Sequence, residues 1–404
     1  MHPVIGQFNQ VIMNIRVSCI VCIFLTLVAC SEKKMEESLG VFRQVNTYHL
    51  DLDRFTSPTE DHYQYVPDWK GEEAYAFHIE AKGQIKLYSL ATGALLENLP
   101  YALNQPNLQY GIQDFYILNE DSIFLNRRRA YKVYLIDSQF EIIRTLNFMP
   151  EDDEIDKNTG WPKSKDTFLP VWNRNRFFRK IGEEIFLTGA PNFDSRFADA
   201  TYTKTLLNSY SLATKKIIPV LGYPERIQGK AWGEFFDMVF LDYSPEGDFF
   251  VISYAADEQA YVADRSMHVV HAFDAYPLDF KKVPPLSKKE VENSDAYRAH
   301  WQENNIFGPI HWDPYRNLIY RIMEEPNEDY IPNLLRDPIQ RARNMVVMAF
   351  DPKQNYKKVA EMRLKKTAKG LFLDRCFVNE KGLNITYVDL ENEDKLYFKT
   401  FLVE

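Results

Sequence analysis

The densest chemistry in this sequence is the run Trp172-Asn173-Arg174-Asn175-Arg176, with Arg179 close behind. Guanidinium forks bind oxyanions through paired hydrogen bonds, and an indole offers a stacking face. Together they suit sugars, peptides or anionic small molecules. Packing between sheets explains the tryptophans equally well, and Trp161, Trp232, Trp301 and Trp312 fall in comparable positions. Three strand-like runs open on a carboxylate: Asp114-Phe-Tyr-Ile-Leu, Asp237-Met-Val-Phe-Leu and Asp374-Arg-Cys-Phe-Val. Such aspartates either hold a ligand or cation or accept backbone N–H bonds from the neighbouring connection. His268 and His271, three apart in an expected strand, point to opposite faces and make a poor metal pair. The acidic run Glu151–Glu154 lacks the spacing of a calcium loop and reads as solvated. No nucleophile elbow, phosphate loop, dinucleotide fingerprint or HExxH motif occurs, so nothing implies a cofactor or a resident metal.

Cysteine chemistry is confined to the start of the chain. Val17–Val28 is an uncharged stretch preceded by Arg16, too short to span a bilayer and laid out like a secretory signal. It ends in Leu27-Val28-Ala29-Cys30, which resembles the lipobox of bacterial lipoproteins. That resemblance implies a signal peptide over 1–29, cleavage before Cys30 and a lipid on Cys30. Met13 is an alternative start. Residues 30–40, rich in Ser, Glu and Lys, read as a polar tether. Ser31 is not the aspartate that marks inner-membrane retention, which favours the outer membrane. Cys19 and Cys22 leave with the signal. Cys376 alone remains in the body, expected as a buried small hydrophobe.

The elements that must position these residues repeat six times. An apolar run, a tight polar turn and a second apolar run recur at 71–77, 119–125, 182–188, 246–252, 315–321 and 380–386. Gly, Asn, Asp and Glu between strand-forming runs are a hairpin signal. A second hairpin follows in five units, at 86–101, 132–148, 208–223, 268–286 and 344–364. Each unit thus has four strands, A to D, and six such meanders predict an all-β, six-bladed β-propeller over 41–404. Aromatic content of 14% agrees with β-structure. The sixth unit lacks its outer strand, and 41–52 supplies it, closing the ring without a free edge. Ser287 and Glu290 form a capping box that opens a short helical insertion between blades 4 and 5, expected to run to about Asn304. The net charge of −9, without a basic tail, argues against nucleic acid.

The A–B and C–D turns share one face of a propeller and are short here. The long connections, 149–175, 188–205, 287–305 and 324–343, share the other, which is therefore the working face. Strand A lines the central channel. Asp114, Asp237 and Asp374 would ring its mouth, with Arg176 in the matching place of blade 3 and His311 near it in blade 5. Alternation puts Arg176 and Arg179 on opposite sides, and the match to the aspartates selects Arg176 for the channel. The expected ligand residues are Arg176, Trp172, Arg174, Asp114, Asp237, Asp374, His311 and Trp312.

The lipobox, the six A–B hairpins and hairpins such as LYSLATG resemble an uncharacterised family of Bacteroidota lipoproteins with a propeller-like domain of unknown function. The resemblance brings no substrate and no catalytic residue. The expectation is a lipid-anchored envelope protein that binds a glycan, a small molecule or a protein partner. A propeller-type hydrolase or lyase acting at the channel mouth is the alternative.

Overall fold

In a computed structural model, residues 39–105, 108, 111–112, 114–127, 131–149, 153–157, 162–163, 168–170, 177–191, 205–233, 235–330 and 342–404 are described. Cys30, Trp161, Trp172, Arg174 and Arg176 lie outside these residues.

The first strand, β1 (Phe42–Asp51), belongs to the last sheet. Blade 1 is β2 (Tyr63–Trp69), β3 (Glu72–Ile79), β4 (Gln84–Ser89) and β5 (Leu95–Leu99). Blade 2 is β6 (Asp114–Asn119), β7 (Ser122–Arg127), β8 (Lys132–Ile136) and β9 (Ile142–Asn147). In blade 3 the inner strand comes in two pieces, β10 (Phe168–Pro170) and β11 (Phe178–Ile181). Both pair with β12 (Glu184–Pro191), which is followed by β13 (Thr205–Ser211) and β14 (Ile217–Gly222). Blade 4 is β15 (Val239–Ser244), β16 (Phe249–Tyr254), β17 (Gln259–Asp264) and β18 (Val269–Asp274). Blade 5 is β19 (Ile306–Asp313), β20 (Leu318–Glu324), β21 (Met345–Asp351) and β22 (Lys357–Leu364). Blade 6 is β23 (Gly370–Asn379), β24 (Gly382–Asp389), β25 (Lys395–Val403) and, outermost, β1.

The turns explain the meanders. Between β2 and β3, Lys70 and Gly71 both have positive φ, the backbone that a two-residue hairpin with the native strand twist demands. Alternation then sorts the side chains. Ala74 and Ala76 of β3 pack toward Ile123 and Leu125 of blade 2. Tyr75 and Phe77, between and after them, pack toward Leu50, Phe377 and Phe398 of blade 6. The same face-to-face packing links blades 2 and 3 through Phe124, Phe178 and Leu187. It joins blades 3, 4 and 5 through Phe186, Phe250 and Ile319. Tyr320, Ile322, Ile385 and Phe401 link blades 5 and 6. Every blade is therefore wedged between two others, and Gly40–Glu404 forms one compact unit. The six-bladed β-propeller closes through β1, which runs antiparallel to β25 from Phe42↔Val403 to Asp51↔Lys395. Val41 and Glu404 exchange backbone bonds of 3.0 Å each way, as a hairpin would without the covalent turn. Gly40 is fixed here by close approach: a Cβ would sit 2.6 Å from the Glu404 carbonyl oxygen.

Three expectations are corrected. The C–D hairpin of blade 4 is β17–β18, 259–274, not 268–286; the run 269–274 is strand D rather than C. His268 consequently lies in the turn, its N–H bonded to Asp264, and His271 stacks on Tyr356 with ring centroids 4.3 Å apart. The helical insertion is two helices, α1 (Lys288–Glu292) and α2 (Ser294–Glu303). Ser287 and Glu290 form the expected capping box. Asn293 then caps a second start by accepting from the Asp295 and Ala296 N–H groups, and this breaks the helix in two. Cys376 is half-buried in β23, and burial pushes its thiol well up, as an inert core cysteine requires.

Candidate ligand site in the central channel

The A strands are the inner edges of the sheets and approach one another around the axis. Counting from each A–B turn, Tyr116, Arg179, Asp242 and His311 occupy the same register in blades 2 to 5. Their partners are Phe124, Phe186, Val251 and Tyr320, each two residues past the pair that closes the turn. The first three of these side chains meet, and His311 lies within electrostatic reach of Asp242 and Arg179. Arg179 Nη1 donates to Tyr116 Oη at 3.2 Å, and its Nη2 lies 3.7 Å from Asp242 Oδ1. Asp242 is held in turn by the backbone N–H groups of Tyr243, at 2.8 Å, and of Trp312, at 3.0 Å. Gln64 of blade 1 makes the same kind of bridge, its amide bonded to both backbone groups of Ile117.

The electrostatics follow from depth combined with access. Arg179 lies among four blades, yet 44% of its side chain is accessible, against 19% for Asp242. Tyr116 foremost, with Asp242, raises the affinity of the guanidinium for its proton against the desolvation that opposes it. His311 goes the other way. Burial pushes its imidazole below the usual range, Asp242 resists, and Arg179 adds to the depression. His311 therefore sits neutral beside the pair. Its Nε2 is buried and finds no partner among the described residues.

Sequence reasoning named His311 and the channel but chose the wrong equivalences. Asp114 matches Phe240, not Asp237, because Asp114↔Asn126 and Phe240↔Ser253 are the corresponding pairs. Asp237 lies in the turn before β15, where its carbonyl accepts from Tyr223 Oη at 2.6 Å. Asp114 is buried, accepts from the N–H of Phe115 at 2.8 Å, and lies 3.6 Å from His62 Nδ1. Asp374 sits in a bulge of β23. With Asp61, His62, Trp301, Arg343 and Arg375 it lines a cavity of about 320 Å³ where the inner strands of blades 6 and 1 begin. That is the long-loop face: Asp374 lines this cavity, whereas Asp114 is buried behind His62 and is not among its lining residues. Arg179, which the alternation argument turned away from the channel, meets Asp242 there; Arg176 lies outside the described residues. Trp312, next to His311, turns away and packs edge-on against Phe249 at 5.0 Å. Trp232 and Trp301 are buried; the Trp232 indole donates to the Ile227 carbonyl, and Trp301 packs on Phe235. The signal that would have found Tyr116 and Asp242 is distance from the A–B turn, not resemblance at the strand start. Among the described residues, no three His, Cys, Asp or Glu side chains gather in a metal-binding arrangement.

A crystal structure of a DUF4221 family member from Bacteroides vulgatus is similar in fold, with a TM-score of 0.71 and 19% identity over 91% of this chain and 99% of that one. A protein from Bacteroides fragilis, described as exported, is more distant: TM-score 0.48 and 9% identity, over 89% of this chain and 95% of that one. No curated protein matches the chain. The model of a domain of unknown function, DUF4221, matches residues 40–362, which hold β1 and all but the end of blades 1 to 5. The chain therefore belongs to the DUF4221 family and is one of its six-bladed β-propellers.

Proposed function

We propose that this protein is a lipid-anchored binding protein of the cell envelope whose propeller takes an anionic or hydroxyl-rich small molecule or glycan end in its channel. The observation that carries the reading is Arg179: a guanidinium deep in the ring, with 44% of its side chain accessible, held by one 3.2 Å bond and one 3.7 Å contact. Those contacts are weak enough to exchange. A ligand oxyanion or hydroxyl pair can replace them with a bidentate bond, while Asp242 and the neutral His311 accept ligand hydroxyls. Trp172, Arg174 and Arg176, which precede this strand in the sequence, are proposed to contact the same ligand. Asp374 is proposed to do so from the mouth.

A screen of acidic and neutral glycans and sugar phosphates tests the site. Binding by the wild type is expected to be lost in Arg179→Ala while the melting temperature is kept. Equal binding by both, or a variant that only loses stability, would make the arginine architectural. Anchorage rests on the Leu27-Val28-Ala29-Cys30 sequence. Cys30→Ala is expected to abolish labelling by palmitate and release the protein from the membrane fraction. A variant that still labels would refute the anchor.

A further inference from the structure

Every blade carries the same irregularity in its outermost strand. Against its C strand, each D strand inserts one extra residue: Leu96, Ile143, Val220, Val270 and Val359 in blades 1 to 5, and Val45 in blade 6; in blade 3 the C strand offsets it with an extra residue of its own, Leu206. A bulge bends an edge strand and hinders pairing with another sheet, which accounts for the repeated geometry. It does not account for the residue type. Edge protection is served by Lys or another charge, yet all six insertions are aliphatic. Four of them are openly exposed: Leu96 at 37%, Val45 at 40%, Ile143 at 54% and Val270 at 63%. Their neighbours Leu95, Ile142 and Val269 are exposed as well, as are Ile218 in the D strand of blade 3 and Val41 just ahead of β1. These nine are more than half of the sixteen exposed large hydrophobics among the described residues.

The meander fixes where this girdle lies. Strand D starts at the C–D turn, so in most blades the insertion falls within its first residues, near the face opposite the long loops. β1 starts at that same base. Gly40 enters it there, its N–H bonded to the carbonyl of Val359, itself one of the six. Ser31 to Leu39 can reach at most about 30 Å when fully extended, so a lipid on Cys30 would hold the base within that distance of a bilayer.

We propose that this aliphatic girdle is a membrane-docking rim. The base of the propeller rests on the lipid surface and the channel mouth with its long loops faces away. The occupant is the bilayer interface, reached by shallow insertion of aliphatic side chains. The proposal rests on the anchored reading only for the nearness of the bilayer.

Flotation of the unacylated chain 31–404, which contains all six blades, is the test. It leaves labelling of Cys30 and binding at Arg179 to their own assays. The wild type is expected to float equally with phosphatidylcholine vesicles and with vesicles containing one quarter phosphatidylglycerol. Leu96→Asp, Ile143→Asp and Val270→Asp combined are expected to cut the floated fraction by at least about fivefold. Leu103→Asp with Leu278→Asp, at two sites about four-fifths exposed on the long-loop side, is expected to change nothing. Val270→Asp alone, at the most exposed insertion, gives a second reading if the triple variant melts early. The proposal is overturned by a wild type that stays at the bottom of the gradient, by rim variants that float unchanged, by loss in the Leu103 and Leu278 variant instead, or by binding that needs the anionic lipid.

Discussion

A chain that begins at Arg54, lacking β1, is expected to lose its cooperative unfolding transition and to aggregate. β1 donates and accepts the whole outer ladder of blade 6, and its removal leaves β25 as a long unpaired edge. It also takes Phe42, Leu50 and Leu52 out of the cores shared with blades 5 and 1. At about 1.5–3 kcal/mol for each fully buried aliphatic or aromatic side chain, those three alone amount to roughly 5–9 kcal/mol. That is comparable to the entire stability of an ordinary domain, about 5–15 kcal/mol. The ring contact to blade 1 goes as well, because the Asp51 N–H donates to the Gly93 carbonyl at 2.8 Å. Thermal unfolding followed by circular dichroism checks this. A truncated chain that melts as sharply and as high as the full propeller would contradict ring closure as the source of stability.

Arg321→Met is expected to cost about 3–5 kcal/mol, the second largest effect. Arg321 is wholly buried on β20 and reaches across into blade 4. It donates to Ser253 Oγ and to the carbonyls of Tyr254, Asp257, Glu258 and Ala275, over distances from 2.6 to 3.3 Å. Its guanidinium lies 3.9 Å from the centre of the Phe307 ring. Burial, helped by the nearby Arg226, pushes its proton affinity down, and Asp257 foremost counters that. Methionine roughly keeps the volume but takes the donor from the Asp257 and Ala275 carbonyls, while those of Tyr254 and Glu258 keep the backbone N–H groups of Asp257 and Ala275. Arg321→Lys is expected to recover little, since one ammonium cannot span the fork. Denaturant midpoints at constant slope measure the loss. A midpoint within experimental error of wild type for Arg321→Met would show that these carbonyls find water instead.

Much of this architecture is readable from the sequence because propeller blades are local. Each A–B hairpin announces itself by turn residues between strand formers, and the orphaned C strand at 394–404 calls for a partner that only 41–52 can supply. Blade 4 misled the reading because Val269 to Asp274 is as strand-like as Gln259 to Asp264, and the Asp264–Met267 turn carries no glycine. The channel row was harder. Asp114, Asp237 and Asp374 look alike at the strand start, but bulges in β23 and differing turn lengths shift the register, so similar words occupy different places. Tyr116, Arg179 and Asp242 share no residue type; they share only a distance from the turn, and their contacts run between blades some sixty residues apart. The bulge residues were invisible for the same reason, since an insertion is defined against a partner strand.

Titration calorimetry of the strongest-binding compound against wild type, Arg179→Lys and Arg179→Ala is the most direct test of the central claim, that a ligand is held in the channel by the Arg179 fork. The account predicts a loss of at least about tenfold in affinity for Arg179→Ala, and only partial rescue by lysine, which keeps the charge but not the bidentate geometry. Folding is expected to be unchanged in both variants. Affinity within twofold of wild type for Arg179→Ala would contradict it, and would return Arg179 to the role of a strut between Tyr116 and Asp242.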